Sequence, residues 1–153
     1  GRLDVLVANA GMLGTLSPIH HVESEVWESV MRLNLTANWR LIRSLDALLR
    51  ASDAGRAIFV TSGVAQKAVP YWGPYAVSKA GLEMMVRIYA AENTKTNVRA
   101  NIVNPGATRT GMRAQAFPGE DPMSLPAPEN ITDAFVDLAE ASCDLNGEVV
   151  QAQ

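Results

Sequence analysis

"WGPYAVSKAGLEMMV", residues 72–86, sets a tyrosine, Tyr75, and a lysine, Lys79, four apart at the head of a strongly apolar run. On a helix that spacing puts both side chains on one face. Tyrosine and lysine at this distance also recur by chance, so the surrounding chain has to decide between chemistry and packing. Apolar runs of strand length lie on either side, "AIFVT" (57–61) before and "VRANIV" (98–103) after. Two more stand further out, "LDVLVA" (3–8) and "EVVQA" (148–152). None alternates cleanly, which suits strands buried on both faces. Segments with helical period fill the intervals at 24–51, 75–93 and, more briefly, 130–141. Strand and helix alternating in this way predict an α/β fold, a parallel sheet flanked by helices. Right-handed crossovers bring the C-terminal ends of the strands to one edge, where such sheets bind ligands.

The 153 residues suffice for one domain with a real core and are too few for two. With 48% hydrophobic and 19% charged residues and a net charge of −3, there is no basic field to attract nucleic acid. No window reaches the ~18 uninterrupted apolar residues of a membrane span. A single cysteine, Cys143, excludes an internal disulfide framework and fits a reducing, cytoplasmic setting. His20 and His21 fall in a loop with no second ligand set, so no metal site is expected.

Small or polar residues follow each of the first three strands: "NAG" (Asn9, Ala10, Gly11), "SG" (Ser62, Gly63) and "NPGATRT" (104–110). Any one of these is ordinary turn chemistry. Three at one sheet edge describe a place where a ligand meets backbone closely.

The helix over 24–51 carries an anomaly. Ser24 reads as its N-cap, and its apolar stripe runs through Trp27, Val30, Met31, Leu41, Ile42, Leu45, Leu48 and Leu49. Asn34 stands in the middle of that stripe, with Asn38 one turn on. A buried amide must find partners or cost about 1–3 kcal/mol. Asn34 is therefore either a structural asparagine bonded to nearby backbone or a residue of the ligand edge. The opposite face of this helix (Leu33, Leu35, Ala37, Trp39) is apolar too, and the 75–93 helix is apolar around its circumference. Helices of that kind bury more than one side, which predicts a second subunit as well as the sheet.

Taken together, Asn34, Ser62, Tyr75 and Lys79, with "NAG" before and "NPG" after them, resemble the short-chain dehydrogenase/reductase family of single-domain Rossmann enzymes. Ser62 stands thirteen residues before Tyr75 and Asn34 forty-one, as in that family, and "VRANIVNPG" (98–106) is similar to its sixth strand and Pro-Gly turn. The stretch "NPGATRTGMRAQAFPGEDP" (104–122) looks closest to a bacterial subgroup, mostly described only as oxidoreductases. The resemblance runs over residues 1–153 and implies a Rossmann-like three-layer α/β/α domain holding the family's strands 4 to 7 in sequence. Nothing here matches the family's N-terminal βαβ part with its Gly-rich pyrophosphate turn, so the expected domain is incomplete and its first strand (3–8) is left as a hydrophobic edge.

By the same resemblance Tyr75 is the general acid/base, Lys79 lowers its pKa and holds the nicotinamide ribose, Ser62 bonds the substrate oxygen, and Asn34 anchors a proton-relay water. Thr61 is a rival hydroxyl that the thirteen-residue spacing sets aside. Asn9, Ala10 and Gly11 would lie along the adenosine side of NAD or NADP. Pro105, Gly106, Ala107 and Thr110 would lie around the nicotinamide and phosphates. Residues 112–128 would form a substrate-side loop. The implied activity is NAD(P)-dependent interconversion of an alcohol and a carbonyl in a small molecule, by a homodimer or homotetramer joined through the 24–51 and 75–93 helices. Alternatives are a dehydrogenase-like nucleotide-binding or scaffold protein without turnover and a sugar-nucleotide epimerase or dehydratase. The Pro-Gly turn, and the lack of a large C-terminal substrate domain, speak against the last.

Overall fold

All four apolar runs become strands, and all pair in parallel. The computed structural model describes residues 1–153 and orders β1 (Val5–Ala8), β2 (Arg56–Val60), β3 (Arg99–Asn104) and β4 (Val149–Gln151) side by side in chain sequence. The register pairs Val5 with Arg56, Arg56 with Arg99, and Ile102 with Val149. Parallel neighbours need a crossover each. The first is α1 (Ser24–Met31), running through a π-helical turn (Arg32–Thr36) into α2 (Ala37–Arg50). The second is α3 (Gly73–Glu92), and the third carries α4 (Gly111–Ala116) and α5 (Asp133–Ala139).

Successive strand residues point to opposite sides, and over β2 and β3 both sides are covered. Ala57, Phe59, Ala100 and Ile102 pack with Leu49 of α2 and Leu82, Val86 and Tyr89 of α3. Ile58 and Val103 pack with Leu138 of α5. That is a Rossmann-like α/β/α stack of three layers. Two buried polar residues fasten its C-terminal part. Asn101 donates to the Leu145 carbonyl at 2.7 Å and accepts the Glu148 N–H at 3.1 Å, which sets β4 beside β3. Arg56 donates to the carbonyls of Glu140 and Ala141 at 3.0 and 2.7 Å, holding the end of α5 against β2.

Three boundaries differ from the expectation. The cap position of α1 is Glu23, whose extended backbone (ψ 141) already turns its carbonyl onto the Trp27 N–H at 3.0 Å. Ser24 is thereby the first helical residue, not the cap. The last helix starts at Asp133 rather than 130 because Pro128–Ile131 tighten into a 3₁₀ turn. The 112–128 loop contains α4, which Thr110 caps by accepting the Arg113 N–H at 3.2 Å. At the other edge, β1 has no partner beyond it, and Val5 and Val7 are 37% and 48% exposed.

Candidate active site

Tyr75 and Lys79 project from the first turns of α3 into a cavity of about 750 Å³ at the C-terminal edge of the sheet. The turns after β1, β2 and β3 supply its walls: Asn9, Ala10 and Gly11, then Ser62, then Pro105, Gly106 and Ala107, with Thr110 at the head of α4. The structure thus gathers every catalytic or cofactor candidate read from the sequence, except Asn34, into one lining.

Lys79 is almost fully buried and donates from Nζ to the Val60 carbonyl at 2.8 Å. Burial disfavours the ammonium and lowers its pKa to about 8. Tyr75 is buried as well, and that pushes its phenol above the usual tyrosine value, while a hydrogen bond with the Ser62 side chain pulls the other way. Lys79 was expected to lower the Tyr75 pKa. Here the ammonium is turned onto Val60, 5.8 Å from the Tyr75 ring centre, and burial dominates. The phenol is therefore neutral at pH 7.

Gly11 runs its backbone across both Lys79 and Asn34; a Cβ there would stand 3.5 Å from Lys79 Nζ and from Asn34 Oδ1. Gly106 needs its missing side chain more strictly, with φ at +69° and Gln153 Nε2 only 2.8 Å from where a Cβ would be. The Gln153 amide donates to the carbonyls of Pro105 and Ala107, bracing the turn from below.

Asn34 sits one layer behind the cavity, fully buried on the π-helical turn. Its Oδ1 accepts the Met12 N–H and its Nδ2 donates to the Met12 carbonyl, both at 2.9 Å. Nδ2 also donates to Ser78 Oγ at 3.0 Å, and that hydroxyl donates to the Tyr75 carbonyl. Both amide protons and one lone pair of Oδ1 are taken up by protein, and the side chain ties the loop after "NAG" to the start of α3. Its own carbonyl accepts from Asn38 Nδ2 at 2.8 Å. The widened turn, a feature frequent at functional sites, has no sequence signal beyond the amide in the apolar stripe.

The rival hydroxyl is committed elsewhere. Thr61 donates to Glu83 Oε1 at 2.7 Å, and Glu83 Oε2 accepts from Gln66 Nε2 at 3.0 Å. Glu83 thus grips the chain on both sides of Ser62 and leaves the Ser62 hydroxyl for Tyr75.

Comparison with known proteins bears on the family. A family model described as short chain dehydrogenase matches residues 1–121. The chain belongs to the short-chain dehydrogenase family. The Escherichia coli K12 oxidoreductase YciK is 42% identical over 135 residues, covering 88% of this chain and 53% of that protein. A crystal structure of a short chain dehydrogenase from Salmonella enterica serovar Typhi superposes with a TM-score of 0.96 at 39% identity, over 99% of this chain and 63% of that one. Another from Escherichia coli CFT073, complexed with NADPH, gives 0.95 at 40% identity, with the same coverage of both chains. This chain therefore spans about half to two thirds of the length of those relatives.

Several residues of this short-chain dehydrogenase escaped the sequence reading. Ser78, Glu83 and Gln153 act through partners distant in sequence, which no local pattern reveals. Trp72 and Phe117 line the cavity but read as ordinary packing residues. No helix is long and apolar enough to cross a membrane.

Proposed function

We propose that the protein is an NAD(P)-dependent oxidoreductase that interconverts an alcohol and a carbonyl, with Tyr75 as general acid/base. The observation that carries this reading is the meeting of Tyr75, Ser62 and Lys79 in one cavity walled in part by glycine-containing turns. A dinucleotide fits such walls, since Gly11 and Gly106 let backbone approach a flat ring closely. The relative from Escherichia coli CFT073 holds NADPH, which favours NADP over NAD. When bound, the nicotinamide supplies or takes the hydride. The remaining work falls to this chain. Ser62 bonds the substrate oxygen, and Tyr75 gives its proton to that oxygen as negative charge develops there. Lys79 directs its remaining donors to the nicotinamide ribose and its charge to the phenolate left behind. Asn34 holds the Gly11–Leu13 loop and α3 in register, so that Tyr75 and Lys79 keep their mutual geometry. Asn9 and Ala10 lie toward the adenosine side, and Pro105, Ala107 and Thr110 toward the nicotinamide and phosphates.

The rival reading is a nucleotide-binding or scaffold protein without turnover. Calorimetric titration of the full-length protein with NADPH and NADH tests the common ground: absence of binding by either sinks the enzyme reading. Tyr75→Phe then separates the two. It is expected to abolish reduction while leaving the nucleotide Kd within about twofold, because it removes the phenolic hydroxyl and keeps the ring. Reduction that survives in Tyr75→Phe would assign the acid elsewhere.

The same reading includes a homo-oligomer in a cytoplasmic setting. Val77, Met84 and Ile88 share an outer face of α3 and are 41%, 57% and 52% exposed, while Trp39 of α2 is 46% exposed. Faces of that kind are covered in stable assemblies.

A further inference from the structure

The cavity has two unlike ends. Around Gly11 and Gly106 it is lined by small residues, whereas beside Tyr75 it is aromatic. The Trp72 ring meets the Tyr75 ring edge-on with centres 5.9 Å apart, and meets Phe117 at 5.8 Å. Phe117 comes from beyond α4 and remains 39% exposed, so this wall is open to whatever approaches the phenol. Its backing is specific. Tyr71 holds φ at +75°, a left-handed conformation costly for a bulky residue, and the chain leaves it directly into Trp72. The charge behind the wall is already neutralised. Arg113 stacks its guanidinium 3.8 Å over Phe117, and its Nε and one terminal nitrogen donate to the two Glu120 carboxylate oxygens at 2.7 Å each. A bidentate pair of this kind leaves Arg113 little to offer an anionic substrate. The remaining cation in the lining away from Lys79 is Lys67, which is exposed, where a charge contributes little.

We propose that the carbonyl substrate is an uncharged compound with an aromatic or compact alicyclic body, which lies on the Trp72–Phe117 wall while its oxygen meets Tyr75 and Ser62. The inference rests on the oxidoreductase reading and deepens it. Reduction moves a hydride from the reduced nicotinamide to the carbonyl carbon and a proton from Tyr75 to its oxygen, giving the alcohol. The wall sets which carbonyl is accepted. Phe117 and Trp72 are then specificity-determining residues.

The test is NADPH-dependent reduction by the full-length protein of benzaldehyde, 4-carboxybenzaldehyde and glyceraldehyde. Benzaldehyde is expected to exceed both others in kcat/KM by about tenfold or more, as aromatic stacking and burial together predict. In Phe117→Ala the ratio of benzaldehyde to glyceraldehyde is expected to fall by about tenfold through KM, with kcat moving less. A wild-type preference for the carboxylated or the polyol aldehyde, or a ratio untouched by Phe117→Ala, overturns the proposal. Binding of NADPH with no aldehyde reduced would sink the oxidoreductase reading instead. The wall is then judged by ligand-observed NMR with benzyl alcohol: saturation transfer that vanishes in Phe117→Ala sustains it, and equal or absent transfer overturns it.

Discussion

Lys79 is the site residue whose burial most bears on its charge. Its only protein acceptor is the Val60 carbonyl, and burial has brought its pKa down to about 8 against an unfolded value of 10.5. Below pH 8 the folded state therefore holds a charge it disfavours. Between about pH 8 and 10.5 the unfolded chain binds more protons than the native one, so stability rises with pH across that window. The shift corresponds to about 3 kcal/mol. The tyrosines oppose this only later, because burial raises both Tyr75 and Tyr89 above 10. Denaturant titrations at pH 7.5 and 9.5 are expected to show the gain in wild type and its loss in Lys79→Met. A flat wild-type profile would mean that Lys79 is hydrated in the native state. Activity moves the opposite way if the ammonium holds the ribose: kcat/KM for reduction should decline above about pH 8, since Tyr75 stays protonated well beyond that point.

Among the elements, α3 does the most, holding Tyr75 and Lys79 on one side and Glu83 a turn further on. Glu83 is buried, yet it accepts from Thr61 and Gln66, with Arg87 at 3.6 Å. Glu83→Leu leaves a buried hydroxyl without its acceptor, so a loss of about 1–3 kcal/mol in unfolding free energy is expected. Glu83→Gln, which keeps an acceptor for Thr61, should recover most of it. Equal losses in the two variants would show that the carboxylate's charge, not the clamp, is what matters. This clamp also marks the limit of what sequence can disclose. Strand runs and helical periods were readable because burial on both faces or along a stripe leaves an apolar pattern in consecutive residues. Hence the four strands lie within a residue or two of their expected bounds. The Glu83–Thr61–Gln66 grip, the Asn34–Ser78 link and the Gln153 brace join residues 17 to 48 positions apart, and no periodicity encodes such pairs. Short α4 was hidden for another reason. Its six residues are too few to display a stripe among the prolines that follow.

At the largest scale, these 153 residues expose two apolar surfaces, and they differ in kind. β1 is an edge strand with unpaired backbone and with Val5 and Val7 exposed. An edge of that sort pairs with any extended chain and gives open-ended association. The outer face of α3, carrying Val77, Met84 and Ile88, is a rigid helical surface, which the proposed homo-oligomer would bring together in a closed, two-fold way. Sedimentation of the 153-residue chain separates them. Val7→Lys places a charge on the exposed side of the edge and should suppress species that grow without limit as concentration rises. It should leave a defined dimer or tetramer in place. Ile88→Glu should do the reverse, dissolving the defined species, because a carboxylate pressed against its symmetry mate in an apolar interface is costly to desolvate. If Ile88→Glu leaves the defined species unchanged, the α3 face is not the subunit contact and the exposed methionine and isoleucine serve another surface. If Val7→Lys does not curb growth, the edge is already blunted by the short length of β1, four residues.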